Sequence, residues 1–213
     1  MSKIHPTESS CAVQKQVLES NKPLVLTVWK KSSMAFQGTD GFSVFDKDGR
    51  LAFRVDNYTR KTGGLVLMDG VGRALLTLKP QILSMHEQWN GFEGDGYSIK
   101  TNKTQLFSMK KKSFLPTSDE IEVFMGSRRN RTSSPSPDFR IDGCFRRRHC
   151  KIWGRNGEVV AEICRKKVNT TILLSEDVFS LIVRPGFSSE LIMAFIVVMD
   201  RICRKPVAPI LCS

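Results

Sequence analysis

The chain has 213 residues, 40% hydrophobic and 25% charged, which suits one domain with a real core or two small ones and excludes a chain disordered throughout. Lysine and arginine outnumber aspartate and glutamate by 33 to 21, giving a formal charge of +12. A surface of that sign favours anionic partners, phosphate-rich lipid or nucleic acid, and charge alone does not choose between them.

The first residues, MSKIHPTESSCAVQKQ, hold no apolar run and so no secretory leader, and residues 1–20 read as a flexible N-terminal segment. Ser2 removes a myristoylation signal, and the terminal Leu-Cys-Ser is not a prenylation box. Cytoplasmic residence is expected, with Cys11, Cys144, Cys150, Cys164, Cys203 and Cys212 reduced. The Asn-x-Thr sequons at Asn57, Asn102, Asn130 and Asn169 are then chance matches.

From residue 21 the dominant period is two. Leu24, Leu26 and Val28 alternate with Val25, Thr27 and Trp29; Phe42 and Val44, then Leu51, Phe53 and Val55, flank the turn Asp46-Lys47-Asp48-Gly49. Further strands are predicted at Leu65–Met68, Ala74–Leu78, Tyr97–Lys100, Leu106–Met109, Ile121–Phe124, Phe139–Ile141, Thr171–Leu174 and Phe179–Val183. Ile152 and Trp153, then Val159, Ala161 and Ile163, flank Arg155-Asn156-Gly157 as a hairpin. Turn clusters every 8 to 12 residues have the rhythm of an antiparallel barrel or sandwich. FSVFDKDGRLAFRV (42–55) can be laid over CKIWGRNGEVVAEI (150–163) with the turn glycines aligned. Either the sheet is internally duplicated, or hairpins simply look alike.

Near the C-terminus nine apolar residues run from Leu191 to Met199. A helix from Glu190 to Cys203 is about 21 Å long, whereas crossing a bilayer takes roughly 20 apolar residues for about 30 Å. Length therefore favours a buried helix over a membrane insertion, and no transmembrane segment is expected. Ser188 or Ser189 can cap it, Glu190 opens it, Arg201, Arg204 and Lys205 close it, and Pro206 stops it. Leu191, Phe195, Val198 and Ile202 form one face; Ile192, Ile196, Met199 and Cys203 form another. A helix apolar all round must be enclosed all round. Many strands and one such helix point to a mainly β protein, a closed antiparallel sheet wrapped around a central hydrophobic C-terminal α-helix.

LTVWKKS (26–32), FSVFDKDGRLAFRVDN (42–57), ILSMHEQWNGFEGD (82–95) and the final apolar helix resemble the plant LURP-one-related family, over about Asn21 to Arg204. The resemblance implies a single barrel domain over 21–204, with a basic Ser/Pro loop at 126–138 and a tail at 205–213. It implies the fold of the tubby C-terminal domain and the phospholipid scramblases, twelve strands around the central helix. Family members are linked to plant defence against oomycetes, with their biochemical activity left open. Tubby domains bind phosphoinositides and release a membrane-tethered transcription regulator, a likeness at the level of fold. The chain shows neither the cysteine-rich acylation segment nor the calcium loop of scramblases. Its loop RRNRTSSPSPD (128–138) is longer and more basic than the family implies, and Gly91 stands where a bulkier residue is expected.

No catalytic constellation is evident. His5, His86 and His149 form no pattern with Ser, Cys or Asp; His86, beside Glu87, reads as ordering a turn or packing on Trp89. Cys144, His149, Cys150 and Cys164 lack the paired C-x2-C spacing of zinc sites, and Asp46-x-Asp48-Gly49 lacks the rest of a calcium loop. A non-enzymatic protein without cofactor or metal is expected.

The basic clusters carry the functional expectation. They are Lys110-Lys111-Lys112, Arg128-Arg129-Asn130-Arg131, Arg146-Arg147-Arg148 and Arg165-Lys166-Lys167. As solvated strand ends they do nothing specific. Gathered on one rim they hold inositol phosphates or an anionic membrane surface, with Lys110, Lys111, Lys112, Arg146, Arg147, Arg148, Arg165, Lys166 and Lys167 as headgroup ligands. Ser134-Pro135 and Ser136-Pro137 follow a basic run, so phosphorylation of Ser134 or Ser136 would weaken attraction to acidic lipid; a plain disordered loop is the other reading. The expectation is a cytoplasmic protein, peripheral at the plasma membrane or nuclear, binding phosphoinositide headgroups and signalling proteins. Nucleic-acid binding by the same surface is the alternative, without a recognition helix or RNA-binding aromatic signature. Scramblase-like turnover ranks last.

Overall fold

The alternation resolves into twelve antiparallel strands in a computed structural model, which describes residues 21–30, 41–59, 64–81, 88–94, 104–112, 120–126, 136–167 and 174–203. They are β1 (Leu24–Lys30), β2 (Phe42–Phe45), β3 (Leu51–Thr59), β4 (Gly64–Asp69), β5 (Ala74–Pro80), β6 (Gln88–Glu93), β7 (Gln105–Lys111), β8 (Ile121–Met125), β9 (Phe139–Cys144), β10 (His149–Gly154), β11 (Val159–Arg165) and β12 (Val178–Val183). Each pairs with its chain neighbours, and β1 closes on β12 from Leu24↔Val183 to Trp29↔Val178, so the sheet is a closed up-and-down barrel. Closure leaves no free sheet edge.

Every second residue points inward. Leu26, Val28, Val44, Leu67, Leu78, Phe107, Met109, Ile141, Ile152 and Leu181 are fully buried. The space they surround is filled by α1 (Ser189–Ile202), whose residues Ile192 to Asp200 are all buried, with Leu191 partly so. Ser188 caps α1 by accepting from Leu191 N at 3.2 Å, and the Cys203 N–H donates to Met199 O at 2.8 Å. The Phe195 ring meets Phe107 of β7 edge-on at 5.0 Å and Phe139 of β9 at 5.5 Å. Asp200 is paired at 2.7 Å with Lys30 of β1. Because β1 and β7 lie on opposite sides of the ring, α1 is threaded through the lumen. Each buried Ile, Val, Phe or Met on it contributes about 2 kcal/mol of transfer free energy. No described helix is long and apolar enough to cross a membrane.

The repeat seen in the sequence has a structural counterpart. In β2–β3 the register shifts between Val44 and Phe45; in β10–β11 it shifts at the aligned pair, Ile152 and Trp153. Both turns carry the same two hydrogen bonds, Asp46 N→Arg50 O with Gly49 N→Asp46 O, and Gly154 N→Glu158 O with Gly157 N→Gly154 O. Gly49 and Gly157 sit at φ 77° and 79°, the left-handed position closing a three-residue hairpin loop. A third copy joins β4 to β5, with a shift after Leu67 and the bonds Asp69 N→Arg73 O and Gly72 N→Asp69 O. Dividing the ring into six-strand halves sets β4–β5, rather than β2–β3, opposite β10–β11.

Two predicted strands lie wholly or mostly outside the described residues, and one strand was not predicted. Tyr97–Lys100 falls outside the described residues, as do residues 171–173, and Leu174 is not in a strand. The strand β6, QWNGFE, escapes the period-two pattern because Gly91 occupies an inward position. A Cβ there would lie 2.1 Å from Cε1 of Phe107, so the ring takes the space a side chain would fill. That contact also explains a small residue where a bulkier one was expected.

Candidate functional site

Strand direction sorts the barrel into two rims. Odd-numbered strands all end at one of them, here the upper rim, and even-numbered strands return to the lower. Lys110 and Lys111 end β7 and Lys112 follows; Phe145–Arg148 joins β9 to β10; Arg165 ends β11, with Lys166 and Lys167 beyond it. Three basic clusters therefore occupy the upper rim, and α1 also ends there, since Asp200 meets Lys30 at the end of β1. Residues 127–135, with Arg128 to Arg131 and Ser134, lie outside the described residues. Exposed Ser136 precedes β9 at the lower rim, a strand's length of about 20 Å from the upper clusters.

The nine predicted headgroup ligands are not equivalent. Lys110 faces Glu122 at 3.6 Å and stands over the Phe124 ring, and Lys112 pairs with Glu120 at 2.8 Å, so carboxylates on and just before β8 offset part of the first cluster. Lys166 Nζ donates to Thr27 Oγ1 at 3.2 Å. Arg146, Arg147, Arg165 and Lys167 are exposed and make no ion pair with any described residue. At the lower rim Lys47 pairs with Asp48, Arg73 with Asp69 and Arg155 with Asp138; Arg184, just past β12, pairs with Glu162.

Arg148 differs from the exposed ligand expected from sequence. At φ 53° it turns inward, and only 5% of it is exposed. Its guanidinium lies 4.5 Å from the Phe145 ring centre and 4.4 Å from that of Phe179, and it donates from Nε to Glu176 O at 2.7 Å and from Nη1 to Phe145 O at 3.3 Å. Burial pulls its pKa down, while the charges of Asp200, Asp177 and Glu176 push it up. A guanidinium stays protonated through such shifts. Around it opens a cleft of about 400 Å³ lined by Lys30, Phe145, Arg146, Arg148, Glu176, Asp177, Asp200 and Cys203. A second depression, about 460 Å³, lies on the outer wall where Trp153 Nε1 donates to Asp142 Oδ1 at 2.8 Å.

The other candidate ligand sets have structural occupations. Asp46 Oδ1 accepts from Asp48 N and Arg50 N, both at 2.9 Å, which is turn chemistry. Cys144, Cys150 and Cys164 are free thiols, and burial, then Glu162, raises the pKa of Cys164. Among the described residues no three His, Cys, Asp or Glu side chains are grouped as metal ligands.

The model of the LURP-one-related family matches residues 24–200, from the first strand into the last turn of the helix. The chain belongs to the LURP-one-related family. It is similar to LURP-one-related 12 of Arabidopsis thaliana, 35% identical over 189 residues, which cover 86% of this chain and 79% of that one. LURP-one-related 5 of the same plant is 36% identical over 83% of this chain and 82% of its own, and LURP-one-related 8 is 31% identical over 96% and 100%. The X-ray structure of another Arabidopsis thaliana protein superposes with a TM-score of 0.62 at 22% identity, covering 86% of this chain and 93% of that one, which shows the same fold.

Within this LURP-one-related barrel, sequence reasoning did not find the cleft. Lys30, Glu176, Asp177 and Asp200 come from three distant stretches and meet only on closure of the ring. One signal was present: Asp200 interrupts an apolar helix at its C-terminal end, where a carboxylate opposes the helix dipole and needs a cation.

Proposed function

We propose that this LURP-one-related protein is non-enzymatic and docks through its upper rim on anionic phospholipid, with phosphoinositide headgroups as the ligand. The observation that supports this reading most is the gathering of Arg146, Arg147, Arg165 and Lys167 at the upper rim, exposed and without an ion pair to any described residue; at the lower rim Lys47, Arg73 and Arg155 are paired, and Lys22 and Arg50 stand exposed. Each basic side chain near an acidic bilayer contributes about 1 kcal/mol, so a few give reversible attachment. Arginine forks hold phosphate oxygens in pairs. Lys110, Lys111, Lys112 and Lys166 add long-range attraction, screened beyond about 8 Å at physiological salt. Peripheral residence at the cytoplasmic face of the plasma membrane and protein partners in signalling belong to the same reading by likeness to tubby-like proteins, and a part in plant defence by likeness to other LURP-one-related proteins.

The test is co-sedimentation with phosphatidylcholine vesicles containing phosphatidylinositol bisphosphate. Changing Arg147, Arg165 and Lys167 together to Ala removes about 3 kcal/mol, or about 150-fold in affinity. Undiminished binding by that variant would overturn the proposal. So would displacement of the protein from vesicles by duplex DNA at equal salt, which favours the nucleic-acid reading.

A further inference from the structure

The upper-rim cleft offers both signs of charge, Lys30, Arg146 and Arg148 beside Glu176, Asp177 and Asp200. At its base Lys30 and Asp200 are tied to each other at 2.7 Å, so that pair is internally balanced. Arg148 is only partly committed. Its Nε and Nη1 donate to backbone carbonyls and its guanidinium stacks against two phenyl rings, yet among the described residues Nη2 has no acceptor. That donor belongs to a residue buried to 5% exposure that lines the cleft. Arg146, two residues earlier in the same turn, adds a second guanidinium at the lip. From the β11–β12 connection Glu176 and Asp177 bring carboxylates that make no ion pair with described residues.

We propose that this cleft binds a small zwitterion, a molecule with a primary ammonium and a phosphate or carboxylate a few bonds apart. The oxyanion is received by Arg148 Nη2 and Arg146, and the ammonium by Glu176 and Asp177. A polyanion would bring several negative charges against Glu176, Asp177 and Asp200, and a bare cation would face two guanidinium groups. The volume, about 400 Å³, falls in the usual small-molecule range of about 300–1,000 Å³. Two sources carry this chemistry: free amino-acid-like metabolites, and the headgroup of an aminophospholipid whose acyl chains stay outside. The inference does not depend on vesicle docking, because it uses neither Arg147, Arg165 nor Lys167.

Calorimetric titration of the full chain tests it with O-phosphoethanolamine, with ethanolamine and inorganic phosphate as its two halves, and with glycine and inositol trisphosphate. The whole zwitterion is expected to bind at least about tenfold tighter than either half, the gain of one added ion pair at about 1.4 kcal/mol. Asp177→Asn with Glu176→Gln should abolish its advantage over phosphate, and Arg146→Gln its advantage over ethanolamine. These lip residues can change without touching the core, and circular dichroism checks that each variant is folded. Vesicles of phosphatidylcholine with and without phosphatidylethanolamine separate the sources. Retention by the aminolipid that O-phosphoethanolamine competes away assigns the lipid headgroup; soluble binding with no vesicle effect assigns a metabolite. Equal affinity for a half-ligand, inositol trisphosphate binding tighter than the zwitterion in the variant with Arg147, Arg165 and Lys167 changed to Ala, or no binding by any zwitterionic probe overturns the proposal.

Discussion

Replacing Lys30 by Met should cost the fold about 3 kcal/mol. Asp200, whose side chain is 4% exposed, sits in the last turn of α1, where the peptide dipole already opposes a negative charge. Lys30 Nζ compensates from 2.7 Å, reaching in from the end of β1. Removing one member of a buried pair typically costs about 3–5 kcal/mol, because the other is left without its counter-charge. The favourable interaction of Asp200 with Arg148 persists in the variant and places it at the lower end of that range. The double change Lys30→Met with Asp200→Leu removes both charges and should return stability to within about 1 kcal/mol of the parent. Urea unfolding followed by tryptophan fluorescence reads this out. With a slope of about 2 kcal/mol per molar, the single variant's midpoint should fall by about 1.5 M. A fall below about 0.5 M, or a double variant no more stable than the single, would refute the claim that this pair pins the end of the helix.

Three other outcomes follow from the packing and the turns. Phe195→Ala empties the contact with Phe107 and Phe139 and should cost about 3–5 kcal/mol in the same assay. Gly91→Ala drives a methyl group into the Phe107 ring and should cost about 1–3 kcal/mol, part of which Phe107→Leu restores if that ring is the cause. Asp69, held below its ordinary pKa of 3.8 chiefly by the Arg73 backbone N–H, contributes stability that is fully present above 3.8 and is lost as pH falls through the lowered value. Asp69→Ala should therefore lower the urea midpoint at neutral pH, and its deficit should shrink as pH is taken below 3.8.

The architecture was legible because two periods carry it. Residues such as Leu26, Val28, Phe53 and Val55 repeat every second position and face one lumen, and nine apolar residues too short for a bilayer have no other place to go. The strand β6 was hidden because an inward residue is a glycine whose space is filled by Phe107, its partner on the neighbouring strand β7. The gathering of three basic clusters at one rim depends on the parity of the strands before each of them, which a single uncounted strand would reverse. In Arg146-Arg147-Arg148 nothing local marks the third arginine as buried; Phe179, contributed by β12, draws it inward. Pairings such as Lys30 with Asp200 join the two ends of the fold and leave no trace in either segment alone.

Leu24 aligns with Val183, so the first strand waits for the twelfth before its outer side is satisfied, and the lumen has no filling until the helix after it is made. A ribosome delivers these pieces after the other eleven strands. During synthesis the nascent sheet must stay open and hollow, exposing Leu26, Val28 and Phe107 to whatever surrounds it. Sequence separation of that kind makes assembly slow, and the native state is reached only once the helix that follows β12 has been made.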